Sequence, residues 1–265
     1  VDVLTFNLNN PSRERAERQL AYLADRPEDV LVLTETADSA GCAFLEERFT
    51  AAGYAVVFPR PPARGERGVM VVSRLAARPG TTRVSYLPHR CVSVVVDTFD
   101  GPLDVVGLYV PSRDASPAKT ARKRDFLEAC RAGIPRAGGA RRLVIGDLNV
   151  LEPDHHPRYP FFKEFEYGFY RWFGEAGYAD AFRTAHREAA EYSWVGRTGD
   201  GYRYDHAFTS APGEVRGCAY VHEVRTGPDR LTDHSALTVS LAPAPARRLE
   251  VSVPAPAEDP ALALF

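Results

Sequence analysis

At 265 residues, with 45% hydrophobic and 26% charged side chains, the chain has the make-up of a soluble globular protein long enough to bury a substantial core. Its formal net charge of -2 gives no global sign of a polyanionic partner, although local basic patches are compatible with it. Four scattered cysteines, Cys42, Cys91, Cys130 and Cys218, form no CxxC pair and suggest neither a zinc site nor a disulfide framework, and no run is apolar and long enough to span a membrane.

Val1 to Phe6 has the pattern of a strand that ends at Asn7, Leu8, Asn9 and a turn, after which Ser12 is placed to cap a helix reaching about Asp25. Asp29 to Thr34 is a short apolar strand delivering Glu35. A helix is expected over Cys42 to Ala52, then strand-like Tyr54 to Phe58 and a Pro/Arg/Gly loop to Gly68. Val69 to Val72, Cys91 to Val96 and Leu103 to Tyr109 are β-rich, with Asp100-Gly101 as the hairpin turn before the last. Pro117 opens a helix carrying Lys119, Arg122, Lys123 and Arg124, a face that is either solvated or set against phosphates.

Leu143 to Val150, L-V-I-G-D-L-N-V, is a buried strand stopped by Gly146, and continued extension would aim Asp147 and Asn149 the same way. An acceptor and an amide then stand at the C-terminal edge of a sheet, where open α/β folds place ligands. Tyr159 to Phe173 has a helical pattern, and Asp154, His155, His156 before it belong to a surface loop. Tyr202 to Phe208 is a strand in which Asp205 and His206 face opposite sides. Asp233 and His234 precede a last strand, Ser235 to Leu241. The Pro/Ala-biased residues 242–265 are expected as a flexible tail, with its final apolar residues as the part that could dock, and residues 1–241 as the folded domain.

Strand ends thus collect Asn7, Asn9, Glu35, Tyr109, Asp147, Asn149, Asp205, Asp233 and His234. Hard oxygen ligands suit Mg²⁺, or Mn²⁺ in its place, and a divalent ion beside a histidine serves phosphoester hydrolysis. The P-loop, the GxSxG elbow and the Rossmann glycine fingerprint are all missing from the sequence.

The ordered segments T-F-N-L-N, L-T-E-T, G-L-Y-V-P-S, I-G-D-L-N, Y-S-W, Y-R-Y-D-H and T-D-H-S resemble the endonuclease/exonuclease/phosphatase superfamily. The A-D-A-F-R run and the Y-S-W before Tyr-Arg-Tyr-Asp bring the likeness nearest to its exonuclease III and abasic-site endonuclease branch. The resemblance implies a four-layered α/β sandwich, two packed mixed β-sheets flanked by helices. It implies Glu35 as principal metal ligand with Asn7 and Asn9 nearby, and Asp233 as a further metal-side carboxylate. Asp147 would orient or deprotonate the attacking water, Asn149 and Tyr109 would hold phosphate oxygens, and His234, held charged by Asp205, would bind the phosphate. The expected activity is that of an Mg²⁺-dependent DNA nuclease of the abasic-site or 3′ type, with a role in DNA repair. The alternatives are a hydrolase of a small phosphoester, such as a phosphoinositide, a sphingomyelin-like lipid or a nucleotide, and a non-catalytic binding module. A cytoplasmic monomer is expected.

Overall fold

The computed structural model describes residues 1–255. The chain begins with β1 (Asp2–Asn7), α1 (Arg13–Ala24), β2 (Val30–Thr36), α2 (Ala40–Ala51), β3 (Ala55–Val57) and β4 (Gly68–Ser73). It continues with β5 (Ala77–Pro79), β6 (Cys91–Thr98), β7 (Gly101–Tyr109), α3 (Pro117–Gly133), β8 (Arg141–Asp147), α4 (Glu164–Glu175) and β9 (Ala179–Asp180). Then come α5 (Ala181–Ala185), β10 (Trp194–Val195), β11 (Gly201–Tyr202), β12 (Asp205–Thr209), β13 (Val215–Val221), α6 (Glu223–Thr226) and β14 (Ala236–Leu241).

Two six-stranded mixed sheets result, ordered β13-β14-β1-β2-β4-β3 and β5-β6-β7-β8-β12-β9. Period-two side-chain alternation decides what each face buries. Val3, Val32, Val71, Val94, Val105, Leu143, Ile145 and Val239 fill the space between the sheets. The intervening residues face outward: Leu4, Phe6, Leu31 and Leu33 pack against Leu20, Phe44 and Phe49 of α1 and α2. On the other sheet Val106, Leu108, Val144 and Phe208 pack against Phe126, Leu127, Phe169 and Phe173 of α3 and α4. This is the expected four-layered α/β sandwich.

Ser12 caps α1 as expected, its Oγ accepting from the Arg15 amide, and α3 opens at Pro117 as expected, with Ser116 Oγ accepting from the Lys119 amide. The helix expected from Tyr159 begins only at Glu164. Pro160 biases the residue before it toward extended backbone, and Tyr159 and Phe162 pack instead on Tyr202 and Tyr204 as a separate aromatic cluster. His155 is buried in that cluster rather than on the surface.

The tail expected to be flexible is tied down along its first part. Thr98 bridges Pro245, Leu75 bridges Arg248, and the amides of Leu249 and Ser252 donate to the carbonyls of Arg74 and Ala52 at 2.8 and 2.9 Å. Residues 256–265, with the final apolar residues of the chain, lie outside the described residues. Among the described residues no helix is long and apolar enough to cross a membrane.

Candidate active site

In each sheet a parallel pair, β1 with β2 and β7 with β8, carries its C-terminal ends to the same edge of the sandwich. β1 and β8 end in the same device, an Asx-turn: in N-L-N the Asn9 amide donates to Asn7 Oδ1 at 2.8 Å, and in D-L-N the Asn149 amide donates to Asp147 Oδ1 at 3.0 Å. Asn9 and Asn149 both have positive φ, which asparagine tolerates better than most residues. Asp147 and Asn149 are therefore neighbours because the chain turns, not because the strand continues as the period-two reading supposed. Asn7 Nδ2 then donates to Asp147 Oδ2 at 3.1 Å and joins the two sheets at the site.

Glu35 arrives by a different route. It sits at a bulge, the register with β4 slipping between Thr34 and Thr36, and its φ of 52° lies in the left-handed region. Bulges re-aim a side chain, and a non-glycine residue in this region costs about 1–3 kcal/mol, held in place here by the surrounding sheet. Gly146 has no alternative at its position: its φ is 150°, and a Cβ would lie 2.0 Å from the Leu108 carbonyl oxygen.

Glu35, Asp147 and His234 each present a ligand atom within 4.8 Å of one another. His234 Nδ1 is 2.8 Å from Asp205 Oδ2, and both side chains are buried. Burial disfavours the imidazolium, but the carboxylates of Asp205, Asp147 and Asp233 outweigh it and raise the His234 pKa to about 10. The imidazole is thus cationic at neutral pH, with Nε2 as a donor rather than a metal ligand. Burial, with the neighbouring charges of Asp205 and Glu35, pushes the Asp147 carboxyl well above its ordinary range despite His234. Burial and the same kind of carboxylate neighbours, Glu35 and Asp147, keep the Tyr109 phenol protonated and so a donor.

The donor set fits a hard divalent cation. Glu35 and Asp147 supply carboxylate oxygens, and their crowding with Asp205 concentrates negative charge that such a cation neutralises. Asp233 lies at the margin of this group: its Oδ1 accepts from Asn9 Nδ2 at 3.0 Å and its Oδ2 from Trp194 Nε1 at 3.2 Å.

Residues 4–234 match the model of the Endonuclease/Exonuclease/phosphatase family. The chain belongs to this family. It is therefore grouped with phosphoesterase and nuclease enzymes whose chemistry is metal-dependent. Its fold is similar to that of an AP endonuclease from Archaeoglobus fulgidus, with a TM-score of 0.75, 23% identity, and 91% of this chain and 99% of the other covered. It is also similar to the 3′ phosphatase NExo from Neisseria, solved bound to product DNA hairpin: TM-score 0.74, 22% identity, 91% and 98% covered. The catalytic domain of APE2 from Xenopus laevis follows with TM-score 0.70, 17% identity, 92% and 93% covered. These include the branch to which the sequence motifs pointed. No curated protein sequence matches the chain.

Several residues that shape the family site in this chain carry little signal in the sequence. Ser193, fully buried, accepts the amides of Tyr204 and Asp205 on Oγ and gives its carbonyl to the Ser235 amide, so one residue fixes both the Asp205 and His234 segments. Trp194 bridges His234 by backbone and Asp233 by its indole. The Y-S-W motif marked these two without revealing what they hold. His206 points behind the site, its Nε2 2.9 Å from the Val150 carbonyl, as strand alternation required.

Two walls flank the reacting groups. Beside His234 runs an aromatic ladder: Tyr204 lies 6.4 Å from the imidazole by ring centroids, Tyr202 5.2 Å from Tyr204, and Tyr159 4.6 Å from Tyr202. Beside Glu35 and Tyr109 is a basic cavity reached by α3. Of the four cations expected along α3, Lys119 and Arg122 line this cavity. Lys123 is buried, its ammonium 2.7 Å from Glu166 Oε1 and 2.5 Å from the Asn149 carbonyl, so it props the Asn149 turn from behind. Arg124 instead covers the Phe165 ring at 5.1 Å.

Proposed function

We propose that this protein is an Mg²⁺-dependent phosphodiesterase that cleaves P–O bonds by in-line attack of water, acting on DNA at abasic sites or 3′ ends, in the manner of a repair nuclease. The observation that carries the reading is the meeting of Glu35, Asp147 and the Asp205–His234 pair at the shared edge of the two sheets.

In this reading Glu35 is the principal metal ligand, with Asn7 beside it, while Asn9 and Asp233 complete the metal side by holding one another. A bound divalent cation supplies neutralisation of the phosphate oxygens. Asp147, made basic by burial, orients the water and takes its proton, and the Asn7 amide keeps the carboxylate turned toward the substrate. The cationic His234 donates from Nε2 to a phosphoryl oxygen as charge builds there. Asn149 uses one amide proton on the Val110 carbonyl and has the other for a second oxygen, and Tyr109 donates its phenol proton to a third.

DNA is favoured over a lipid headgroup by the aromatic ladder, since partly exposed rings stack bases at about 1–3 kcal/mol each. The reading of a smaller phosphoester draws support from the short β10–β11 hairpin, which offers little surface for gripping a duplex. Hydrolysis of an abasic-site duplex, a 3′-phosphorylated oligonucleotide and a panel of small phosphoesters, with Mg²⁺ and with EDTA, tests the proposal. Metal-dependent cleavage of the DNA substrates is expected. Turnover of small phosphoesters alone would transfer the assignment to the second reading, and turnover of none would refute both.

A further inference from the structure

We propose that the basic cavity beside Glu35 binds a second phosphate of the substrate, distinct from the one that is hydrolysed; the inference rests on the phosphoester reading above. The cavity has a volume of about 320 Å³ and is lined by Arg67, Arg90, Lys119 and Arg122 together with Glu35 and Tyr109. Since it shares Glu35 and Tyr109 with the reacting site, an anion held there belongs to the same substrate molecule.

Charge and unmet hydrogen bonds support the assignment. Glu66 is the acidic partner of this cluster, 2.5 Å from Arg122 Nη2 and 3.5 Å from Arg90 Nη2, and even with Glu35 on the cavity wall two carboxylates do not balance Arg67, Arg90 and Arg122. Lys119 has its own partner in Asp114. Arg90 is 5% exposed, yet its Nε and Nη1 have no hydrogen-bond partner. Its guanidinium is fixed 4.7 Å above the Tyr109 ring, so it cannot swing into solvent without giving up that contact. A buried guanidinium with bonds unmade is costly, and an oxyanion that accepts from it removes the cost. Arg122 and Arg67 remain half-buried at the mouth, where a doubly charged phosphate can reach them. The same cluster repels a cationic headgroup such as choline, which separates this enzyme from a hydrolase of choline phosphodiesters. Two sources carry the required chemistry, an adjacent nucleotide phosphate and a ring phosphate on an inositol headgroup.

The test measures equilibrium binding in EDTA, where no turnover occurs, for the full chain with a thymidine dinucleotide and its forms bearing one extra phosphate at the 5′ or the 3′ end. Glycerophosphoinositol and its ring-phosphorylated form provide the second arm. One phosphorylated form is expected to bind about tenfold or more tighter than its parent, and the arm in which this happens names the source. In the Arg67→Gln/Arg122→Gln variant that ratio should fall to about one, while Arg67→Lys/Arg122→Lys should keep part of it. Arg67→Gln alone, at a half-exposed position, carries the comparison if the double variant does not fold. No gain from any added phosphate, or a gain that survives both glutamine variants, overturns the proposal. Cleavage with Mg²⁺ separates the two levels: a binding gain without any phosphoester hydrolysis leaves the cavity assigned and the catalytic reading wrong, and hydrolysis without the gain does the reverse.

Discussion

Replacing Asp205 with Asn removes the charge that touches His234 Nδ1 at 2.8 Å while keeping the size of the side chain. His234 has a pKa of about 10 because three carboxylates outweigh its burial. The rise from an ordinary value near 6.5 corresponds to roughly 5 kcal/mol left after the opposing effect of burial, with Asp205 the largest contributor among the carboxylates. Without it burial is opposed only by Asp147 and Asp233, and the imidazole is expected to titrate well below the parent value. At pH 7.5 the cationic fraction then drops from nearly all toward a limit of about one in ten, reached if the pKa returns to about 6.5, so kcat/KM should fall by up to about tenfold from protonation alone. The sign of the pH dependence is diagnostic. The variant should recover activity as pH is lowered from 8 toward 6, whereas the parent should hold its alkaline limb to the region of about pH 10. Stability follows the same linkage. A pKa raised by folding stabilises fully below about pH 6.5 and is lost as pH climbs toward about 10, so the parent should show this loss and the variant a smaller one. Profiles of kcat/KM against pH, with an NMR titration of the imidazole, measure both effects. Coincident alkaline limbs for parent and variant would refute the pairing as the source of the histidine's charge.

Mg²⁺ is expected to raise the thermal midpoint of the parent, and Glu35→Gln should abolish that rise and lower turnover by at least about 100-fold with an unchanged circular dichroism spectrum; a variant still stabilised by Mg²⁺ would remove Glu35 from the metal site. Lys123→Met leaves the Arg113–Glu166 pair in place but takes the ammonium from Glu166 Oε1 and the Asn149 carbonyl, and should cost about 1–3 kcal/mol in urea unfolding, an expectation that a near-neutral result would defeat. Gly146→Ala forces a methyl to within 2.0 Å of the Leu108 carbonyl and should destabilise by about 3 kcal/mol or more, read from the same unfolding curves.

The continuous apolar runs Leu143 to Ile145 and Val30 to Leu33 were enough to find the strands and the edge to which they deliver Glu35 and Asp147. What periodicity does not carry is the backbone sign at a strand's end. The left-handed residues Asn9, Glu35 and Asn149 aim the site, and for Glu35 the cause is a bulge set by pairing with β4, a non-local partner. The burial of Lys123 was likewise invisible, because the local sequence shows four cations on a helix and only Glu166, 43 residues on, decides which one goes inside. Ser193 is a third case: a serine in a loop looks like solvent-facing polarity until the Tyr204, Asp205 and Ser235 amides converge on it. The aromatic positions near 160 misled for a related reason, their helical spacing being overridden by Pro160 and by the tyrosines of the β11–β12 segment.

The central claim is that water, prepared by Asp147 and aided by a metal at Glu35, attacks phosphorus. Hydrolysis of a 3′-phosphorylated or abasic-site oligonucleotide in H₂¹⁸O, analysed by mass spectrometry of both products, tests it most directly. The account predicts one ¹⁸O in the phosphate product and none in the sugar alcohol, with no hydrolysis after metal stripping in EDTA and almost none by Asp147→Asn. Label in the sugar alcohol, or undiminished hydrolysis by the stripped protein, would contradict it.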